Sequence, residues 1–109
     1  MLKKKYRLLK KTKFDKKNLY NSLVFVLKFT ENEKTLSRFG FVVSKKIDKR
    51  ATVRNRAKRK IRVCIETNID IIKPGYDMLF ILKKQILEKT TNEIGELTLG
   101  ELKKQGLLK

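Results

Sequence analysis

The sequence predicts an α+β fold, a single-domain α/β sandwich in which helices pack on a small central sheet. Two apolar runs of strand length, residues 23–29 and 76–82, indicate the sheet, and apolar residues at helical spacing after Thr52 indicate a long helix. A chain of 109 residues can form one core of this kind. We therefore expect residues 1–109 to form one domain.

The N-terminal region is basic and carries few structural signals. Residues 1–11 contain no turn or cap pattern, and we expect them to be largely extended. Thr12 is a suitable N-cap for a short helix that runs toward Tyr20, with Phe14 on its inner face. Asn18 has a low helix propensity, which opposes this first helix.

Strand signals follow. Residues 23–29 are rich in branched and aromatic side chains, and residues 38–44 (RFGFVVS) form a similar run. The polar residues 30–37 should turn the chain, so we expect the two strands to pair as a hairpin. Residues 76–82 (YDMLFIL) are apolar almost throughout, which is typical of a strand buried on both faces.

Two further helices are predicted. The first has one apolar stripe, formed by Val53, Ala57, Ile61, Cys64 and Ile65. It should end near Asn68. The second begins at a capping box, residues 90–93 (TTNE), and its inward residues should be Ile94, Leu97 and Leu102. With a short strand before the long helix, the expected order is α-β-β-(short β)-α-β-α.

Charge is the most unusual property of the chain. The formal net charge is +18, and residues 1–65 carry all of it, with 22 Lys and Arg against 4 Asp and Glu. Residues 66–109 hold 7 of each kind. Arginine, the side chain best suited to phosphate, occurs only in the first of these segments. We expect that segment to bind a polyanionic partner.

Features of secreted and membrane proteins are lacking. The single cysteine, Cys64, cannot form an internal disulfide, and the longest apolar run, residues 23–27, is far too short to cross a bilayer. Because no apolar stretch follows the basic residues 3–5, we expect no signal peptide. The expected location is the cytoplasm, with no membrane partner.

The densest charge lies at residues 45–62, which contain ten basic side chains and one acid, Asp48. Arg54, Lys58 and Arg62 are four residues apart, so they should form one row with about 6 Å of rise between members. The apolar stripe faces the other way. A basic helical face is often simply solvated, but so many like charges favour a nucleic acid that neutralises them.

Residues 38–62 (RFGFVVSKKIDKRATVRNRAKRKIR) closely resemble the signature of the bacterial ribonuclease P protein component. In that family a strand ending in Ser-Lys-Lys is followed by a short connection and by Arg-Asn-Arg-x-Lys-Arg at the start of a long helix. Residues 54–59 (RNRAKR) match this motif position by position. Residues 6–11 (YRLLKK) and 75–77 (GYD), with the closing helix, extend the resemblance to nearly the whole chain.

The resemblance implies a fold, partners and a site. The fold has a left-handed βαβ crossover at the Arg-Asn-Arg segment, although general statistics favour a right-handed connection. The implied partners are the ribonuclease P catalytic RNA and precursor tRNA, whose 5′ leader lies in a neighbouring cleft on the sheet. The candidate RNA-binding residues are Lys45, Lys46, Arg50, Arg54, Asn55, Arg56, Lys58, Arg59 and Arg62.

Aromatic side chains are candidates for the leader cleft, because exposed rings stack on unpaired bases with little sequence preference. The candidates are Phe14, Phe25 and Phe29. An aromatic residue in a strand is more often part of the core, and this alternative stays open for Phe25 and Phe29.

Two departures from the family pattern affect these expectations. The segment before the first strand is several residues shorter than usual, which affects the helix that carries Phe14. Asp48 and Lys49 stand where family members commonly have glycine and asparagine. The turn at these two residues should therefore differ in shape, since ordinary residues tolerate a positive φ poorly.

The residue types do not suggest a nuclease active site. The chain has no histidine, one cysteine and no carboxylate pair spaced for a two-metal site, so we expect no catalytic residue and no metal site in the protein. The resemblance implies that the RNA subunit hydrolyses the phosphodiester, with Mg²⁺ held mainly by the RNA. The charge count predicts that the protein screens RNA phosphates and lowers the Mg²⁺ requirement.

Two other classes share this size and charge. A ribosome-associated or ribosome-assembly RNA-binding protein would co-sediment with ribosomal subunits and leave precursor tRNA unchanged. A DNA-binding module is disfavoured, because the basic helix lacks an obvious helix-turn-helix partner.

Overall fold

The computed structural model of the protein describes residues 3–8, 14 and 19–109. These residues form the predicted α+β fold, with a four-stranded sheet and two long helices. The elements are β1 (Leu19–Asn21), β2 (Phe25–Glu31), β3 (Arg38–Val42), α1 (Ala51–Thr67), β4 (Tyr76–Leu82) and α2 (Thr91–Lys104). Short 3₁₀ helices occupy Lys4–Tyr6, Ile69–Ile71 and Lys84–Glu88.

The strands are arranged in the order β1-β2-β4-β3. β2 pairs antiparallel with β1 and with β4, whereas β3 lies parallel to β4. The predicted hairpin between β2 and β3 is wrong, because β4 lies between them and pairs its Phe80 with Leu27 on one side and Phe41 on the other. Alternation identifies a strand but not its neighbour. The short strand is β1, at the start of the sheet, and not a strand just before α1.

The hydrophobic core lies between one face of the sheet and the two helices. Its buried side chains from the strands are Phe25, Leu27, Phe39, Met78, Phe80 and Leu82. Those from the helices are Ala57, Ile61, Cys64, Ile65, Ile94 and Leu102. The predicted stripe of α1 is confirmed except at Val53, which is half-buried. α1 ends at Thr67, with Asn68 as its C-cap, as predicted.

The start of α2 also matches its prediction. The Thr90 hydroxyl accepts a hydrogen bond from the Glu93 N–H at 3.2 Å, and the Thr90 N–H donates to the Glu93 carboxylate at 3.0 Å. These two bonds complete the capping box. Ile94 and Leu102 are buried, and Leu97 is half-buried against the core.

β4 is a central strand, but it is not buried equally on both faces as we expected. Met78, Phe80 and Leu82 are buried, whereas Leu79 and Ile81 are only half-buried. The reason is that α1 and α2 pack on the face that carries the first three residues, and alternate side chains point to the opposite face.

The N-terminal segment lies along the outer edge of β3. The Leu8 N–H donates to the Phe39 carbonyl at 2.9 Å, and Arg7 forms a parallel bridge with the same residue. Gly40 permits this approach, because a Cβ there would lie 2.9 Å from Cδ2 of Leu8. The segment is not simply extended as predicted, since Lys4–Tyr6 is helical. This short helix is held by backbone hydrogen bonds within the segment, and it ends before the residues that contact β3.

The helix predicted after Thr12 lies outside the described residues, apart from Phe14. Tyr20, toward which we expected it to run, belongs instead to β1, where it pairs with Leu27. β3, α1 and β4 form a parallel βαβ unit. Its left-handedness stays a prediction.

Candidate nucleic-acid interface

The candidate RNA-binding residues lie on the outside of α1 and on the turn before it. The exposed side chains among them are Lys45, Lys46, Arg50, Asn55, Arg56 and Arg59. Arg54, Lys58 and Arg62 are half-buried, and none of the nine is turned into the core. The helix therefore has the predicted apolar and cationic sides. Contact with RNA stays a prediction.

Lys58 and Arg62 face a groove at the outer edge of the sheet. The groove has a volume of about 430 Å³ and is lined by these two residues together with Arg7, Leu8, Phe39, Gly40 and Phe41. The guanidinium carbon of Arg62 lies 6.0 Å from the centre of the Phe41 ring, which is within cation–π range. Two members of the predicted basic row thus border a groove that also contains an aromatic side chain.

The other basic residues of α1 point in different directions. Arg59 lies beside Arg62 on the outer surface. Arg56 and Lys60 lie on another flank, beside the 3₁₀ helix that precedes α2. Lys60 Nζ donates to the carbonyl of Lys89 at 3.1 Å and so ties α1 to the segment before α2. The cationic surface is therefore broader than one row, and Lys60 also supports the fold.

The turn that leads into α1 is organised by Asp48. Its carboxylate accepts hydrogen bonds from the Arg50 N–H at 2.9 Å and from the Arg50 guanidinium at 3.1 and 2.9 Å. Nη1 of Arg54 donates to the backbone carbonyls of Asp48 and Lys49 at 2.9 and 2.8 Å. The turn needs no positive φ at Asp48 or Lys49, since Glu33 is the only non-glycine residue with a positive φ in the described part of the chain. That the turn differs in shape from the family pattern stays a prediction.

The charges of Asp48 and Arg50 do not change near neutral pH. Hydrogen bonds from the Arg50 guanidinium and N–H lower the pKa of Asp48 to about 2. The Asp48 carboxylate in turn raises the pKa of Arg50. Asp48 therefore stays ionised and Arg50 stays protonated at physiological pH. One basic charge of the interface is balanced within the protein.

A second arginine–aspartate pair lies near the starts of β3 and β4. Nε and Nη2 of Arg38 donate to the two carboxylate oxygens of Asp77 at 2.8 and 2.7 Å, and Asn32 Nδ2 adds a third bond at 2.9 Å. Burial alone would raise the pKa of Asp77, but these hydrogen bonds outweigh it and the pKa is lowered. Arg38 thus has a structural role, because it pairs with a buried carboxylate of the neighbouring strand. The charge count could not identify this role, because the partner is 39 residues away in the chain.

The sheet face opposite the helices is apolar and partly open. Leu19 and Val42 are 42% and 45% exposed, and Leu79 and Ile81 are half-buried. The strand register places Lys28 between Leu19 and Leu79 on this face. Sequence reasoning missed this surface, because only the pairing of strands brings these residues together.

The three aromatic candidates for a leader cleft occupy different places. Phe25 is fully buried and lies edge-on to Phe80, with 5.2 Å between ring centres, so its assignment to a cleft is wrong. Phe29 is half-buried on the helix-facing side and stacks on Tyr20 at 5.2 Å. Phe14 is half-buried, but its neighbours in the chain lie outside the described residues. Phe25 is a core residue because strand alternation turns it toward the helices.

The described residues contain no cluster of three or more His, Cys, Asp or Glu side chains that could hold a metal ion. Cys64 is buried, and burial raises the pKa of its thiol. Within the same residues, no helix has the length and apolar character needed to cross a membrane.

Comparison with protein families gives a match to the Ribonuclease P family over residues 2–105. Similar curated proteins include the "Ribonuclease P protein component" of Alkaliphilus oremlandii, which is 32% identical over 93 residues that cover 85% of this chain and 80% of the relative. The protein of the same name from Clostridium kluyveri is 40% identical over 95 residues, covering 85% and 83% of the two chains.

Solved structures agree with this match. The RNase P protein from Staphylococcus aureus superposes with a TM-score of 0.76 and 27% identity, covering 99% of this chain and 95% of that one. The RNase P protein from Thermotoga maritima superposes with a TM-score of 0.73 and 31% identity, covering 79% and 81%. Sequence and fold agree over nearly the whole length, and the chain belongs to the ribonuclease P protein family.

Proposed function

We propose that this chain is the protein subunit of ribonuclease P, a ribonucleoprotein endonuclease that removes the 5′ leader from precursor tRNA. The cationic side of α1, open to solvent above a buried apolar stripe, is the observation that supports this function most strongly. Several relatives are named as ribonuclease P protein components, and the catalytic RNA of that enzyme is a polyanion suited to this surface.

The exposed side chains of α1 and of the preceding turn form the proposed RNA contact surface. Asn55, Arg56 and Arg59 point to solvent, and Lys45 and Lys46 continue the surface from the end of β3. Their cationic groups neutralise phosphates, so binding weakens as the salt concentration rises. No DNA partner is expected.

The groove beside β3 is the proposed site for the 5′ leader. Lys58 and Arg62 supply positive charge for the leader backbone, and Phe41 replaces Phe25 as the candidate stacking residue. At Gly40 the groove borders the open face of the sheet. A single strand without fixed sequence fits this combination of charge and apolar surface.

Hydrolysis of the phosphodiester is assigned to the RNA subunit, with Mg²⁺ held mainly by the RNA. The protein has no catalytic residue of its own in this proposal. Its positive charge reduces repulsion between RNA phosphates, so less Mg²⁺ is needed for cleavage. We place the complex in the cytoplasm.

The test combines the full chain with a bacterial ribonuclease P RNA at near-physiological Mg²⁺ and follows release of a 5′ leader from precursor tRNA. We expect the protein to accelerate leader release and to lower the Mg²⁺ concentration that is needed. No acceleration, together with co-sedimentation with ribosomal subunits, would favour a ribosome-associated RNA-binding protein instead.

A further inference from the structure

Residues 45–62 contain ten basic side chains and one acidic residue, Asp48. Both oxygens of the Asp48 carboxylate accept hydrogen bonds from Arg50. Oδ1 accepts from the Arg50 N–H and Nε, and Oδ2 accepts from Nη2 at 2.9 Å. A carboxylate at this position lowers the total positive charge of the surface. It also fixes one arginine in a single orientation.

The exposure of the two side chains indicates which of them is presented to a partner. The Arg50 side chain is 73% exposed, whereas the Asp48 side chain is only 17% exposed. The carboxylate therefore lies beneath the guanidinium. Nε and Nη2 use two of the five guanidinium N–H groups on Asp48, and Nη1 keeps both of its donors for another acceptor.

The backbone that carries Asp48 is held as well. Nη1 of Arg54 donates to the carbonyls of Asp48 and Lys49 at 2.9 and 2.8 Å, which joins the turn to the first turns of α1. Asp48 cannot drift away from the helix without breaking these bonds. The guanidinium of Arg50 is therefore held relative to the basic surface of α1.

We propose that Asp48 is a positioning residue that orients Arg50 toward a phosphate of the bound RNA. This inference rests on the proposed function. A long, free arginine side chain loses rotamer freedom when it binds, and an arginine that is already ordered loses less. The negative charge of Asp48 is unfavourable for RNA binding, and the ordering of Arg50 by Asp48 offsets this effect.

The loss of a negative charge and the loss of a positioning contact predict opposite changes in RNA affinity for Asp48→Asn. Removing a negative charge from a cationic surface should strengthen RNA binding if electrostatics alone applies. If Asp48 orients Arg50, the affinity for ribonuclease P RNA should instead fall by about 2-fold to 10-fold, the range for ordering one long side chain. The asparagine amide oxygen still accepts the Arg50 N–H, so the turn is preserved.

Two control variants isolate the contact. Asp70→Asn removes an exposed acid beyond the far end of α1 and should leave the RNA affinity unchanged. In an Arg50→Ala background, Asp48→Asn should cause no further loss, because there is no guanidinium left to orient. In the free protein, the heteronuclear NOE of Arg50 Nε should decrease on Asp48→Asn.

The outcomes separate this inference from the proposed function. RNA binding by Asp48→Asn that equals or exceeds the wild-type affinity would overturn the positioning role alone. An equal loss in the Arg50→Ala background would also overturn it, since Asp48 would then act by another route. A wild-type protein that does not bind the RNA would overturn the proposed function and this inference with it.

Discussion

Two arginine–aspartate pairs in this protein have nearly the same geometry and different surroundings. The Arg38 and Asp77 side chains are 15% and 4% exposed, with 2.7 Å between Nη2 and Oδ2. The Arg50 and Asp48 side chains are 73% and 17% exposed, with 2.9 Å between the same atoms. Water screens the second pair but hardly reaches the first. The buried pair therefore supports the pairing of β3 with β4, and the exposed pair orients the Arg50 guanidinium on the surface.

Breaking the buried pair should have the largest effect. Arg38→Ala leaves the Asp77 carboxylate buried without its main partner, and we expect the free energy of unfolding to fall by about 3 to 5 kcal/mol. Urea unfolding followed by circular dichroism measures this loss. The double variant Arg38→Met/Asp77→Leu removes both charges and should recover most of the stability. Wild-type stability in Arg38→Ala would show that burial does not govern this pair.

The buried and the exposed sides of α1 should likewise contribute differently to stability. Ile61 is fully buried, and Ile61→Ala should lower the free energy of unfolding by about 2 to 5 kcal/mol through the cavity that it leaves. Arg59→Ala, on the exposed side, should change it by no more than about 0.5 kcal/mol. Similar losses in both variants, measured by urea unfolding, would contradict the assignment of the two sides.

On the cationic surface we expect an effect on binding rather than on stability. Lys58→Ala should weaken binding of leader-bearing precursor tRNA by the complex of the protein with ribonuclease P RNA, and should reduce the slope of log affinity against log salt by about one unit, for one lost phosphate contact. Lys73→Ala, at an exposed lysine beyond α1, is the matched control and should leave the slope unchanged. An unchanged slope in Lys58→Ala would remove the groove from the RNA-binding surface.

The smallest effect concerns pH. Because the pKa of Asp48 is lowered to about 2, its pair with Arg50 is complete at higher pH and is lost only as the pH falls through that value. The ratio of RNA affinities between wild type and Asp48→Asn should therefore stay constant from about pH 5 to 8. Fluorescence anisotropy titrations at several pH values test this. A ratio that changes within that range would indicate a different titrating group.

Local features made α1 and its basic side predictable. The apolar stripe, the basic row and the capping box of α2 all depend on residues within a few positions of one another, so helical geometry alone relates them. The groove beside β3 was not predictable in the same way. It combines Arg7 and Leu8 with Phe41 and with residues of α1, and these come together only when β3 takes the edge of the sheet.

The amino-acid sequence alone establishes where the charge lies, that α1, α2 and the strands β2, β3 and β4 form, and which side of α1 is apolar. It does not establish that β4 separates β2 from β3 or that Phe25 faces the helices. Nor does it establish that Arg38 and Arg50 each pair with an aspartate, one arginine largely buried and the other largely exposed. Those outcomes depend on contacts between distant parts of the chain, whose free energies are settled jointly by packing and burial when the whole domain folds.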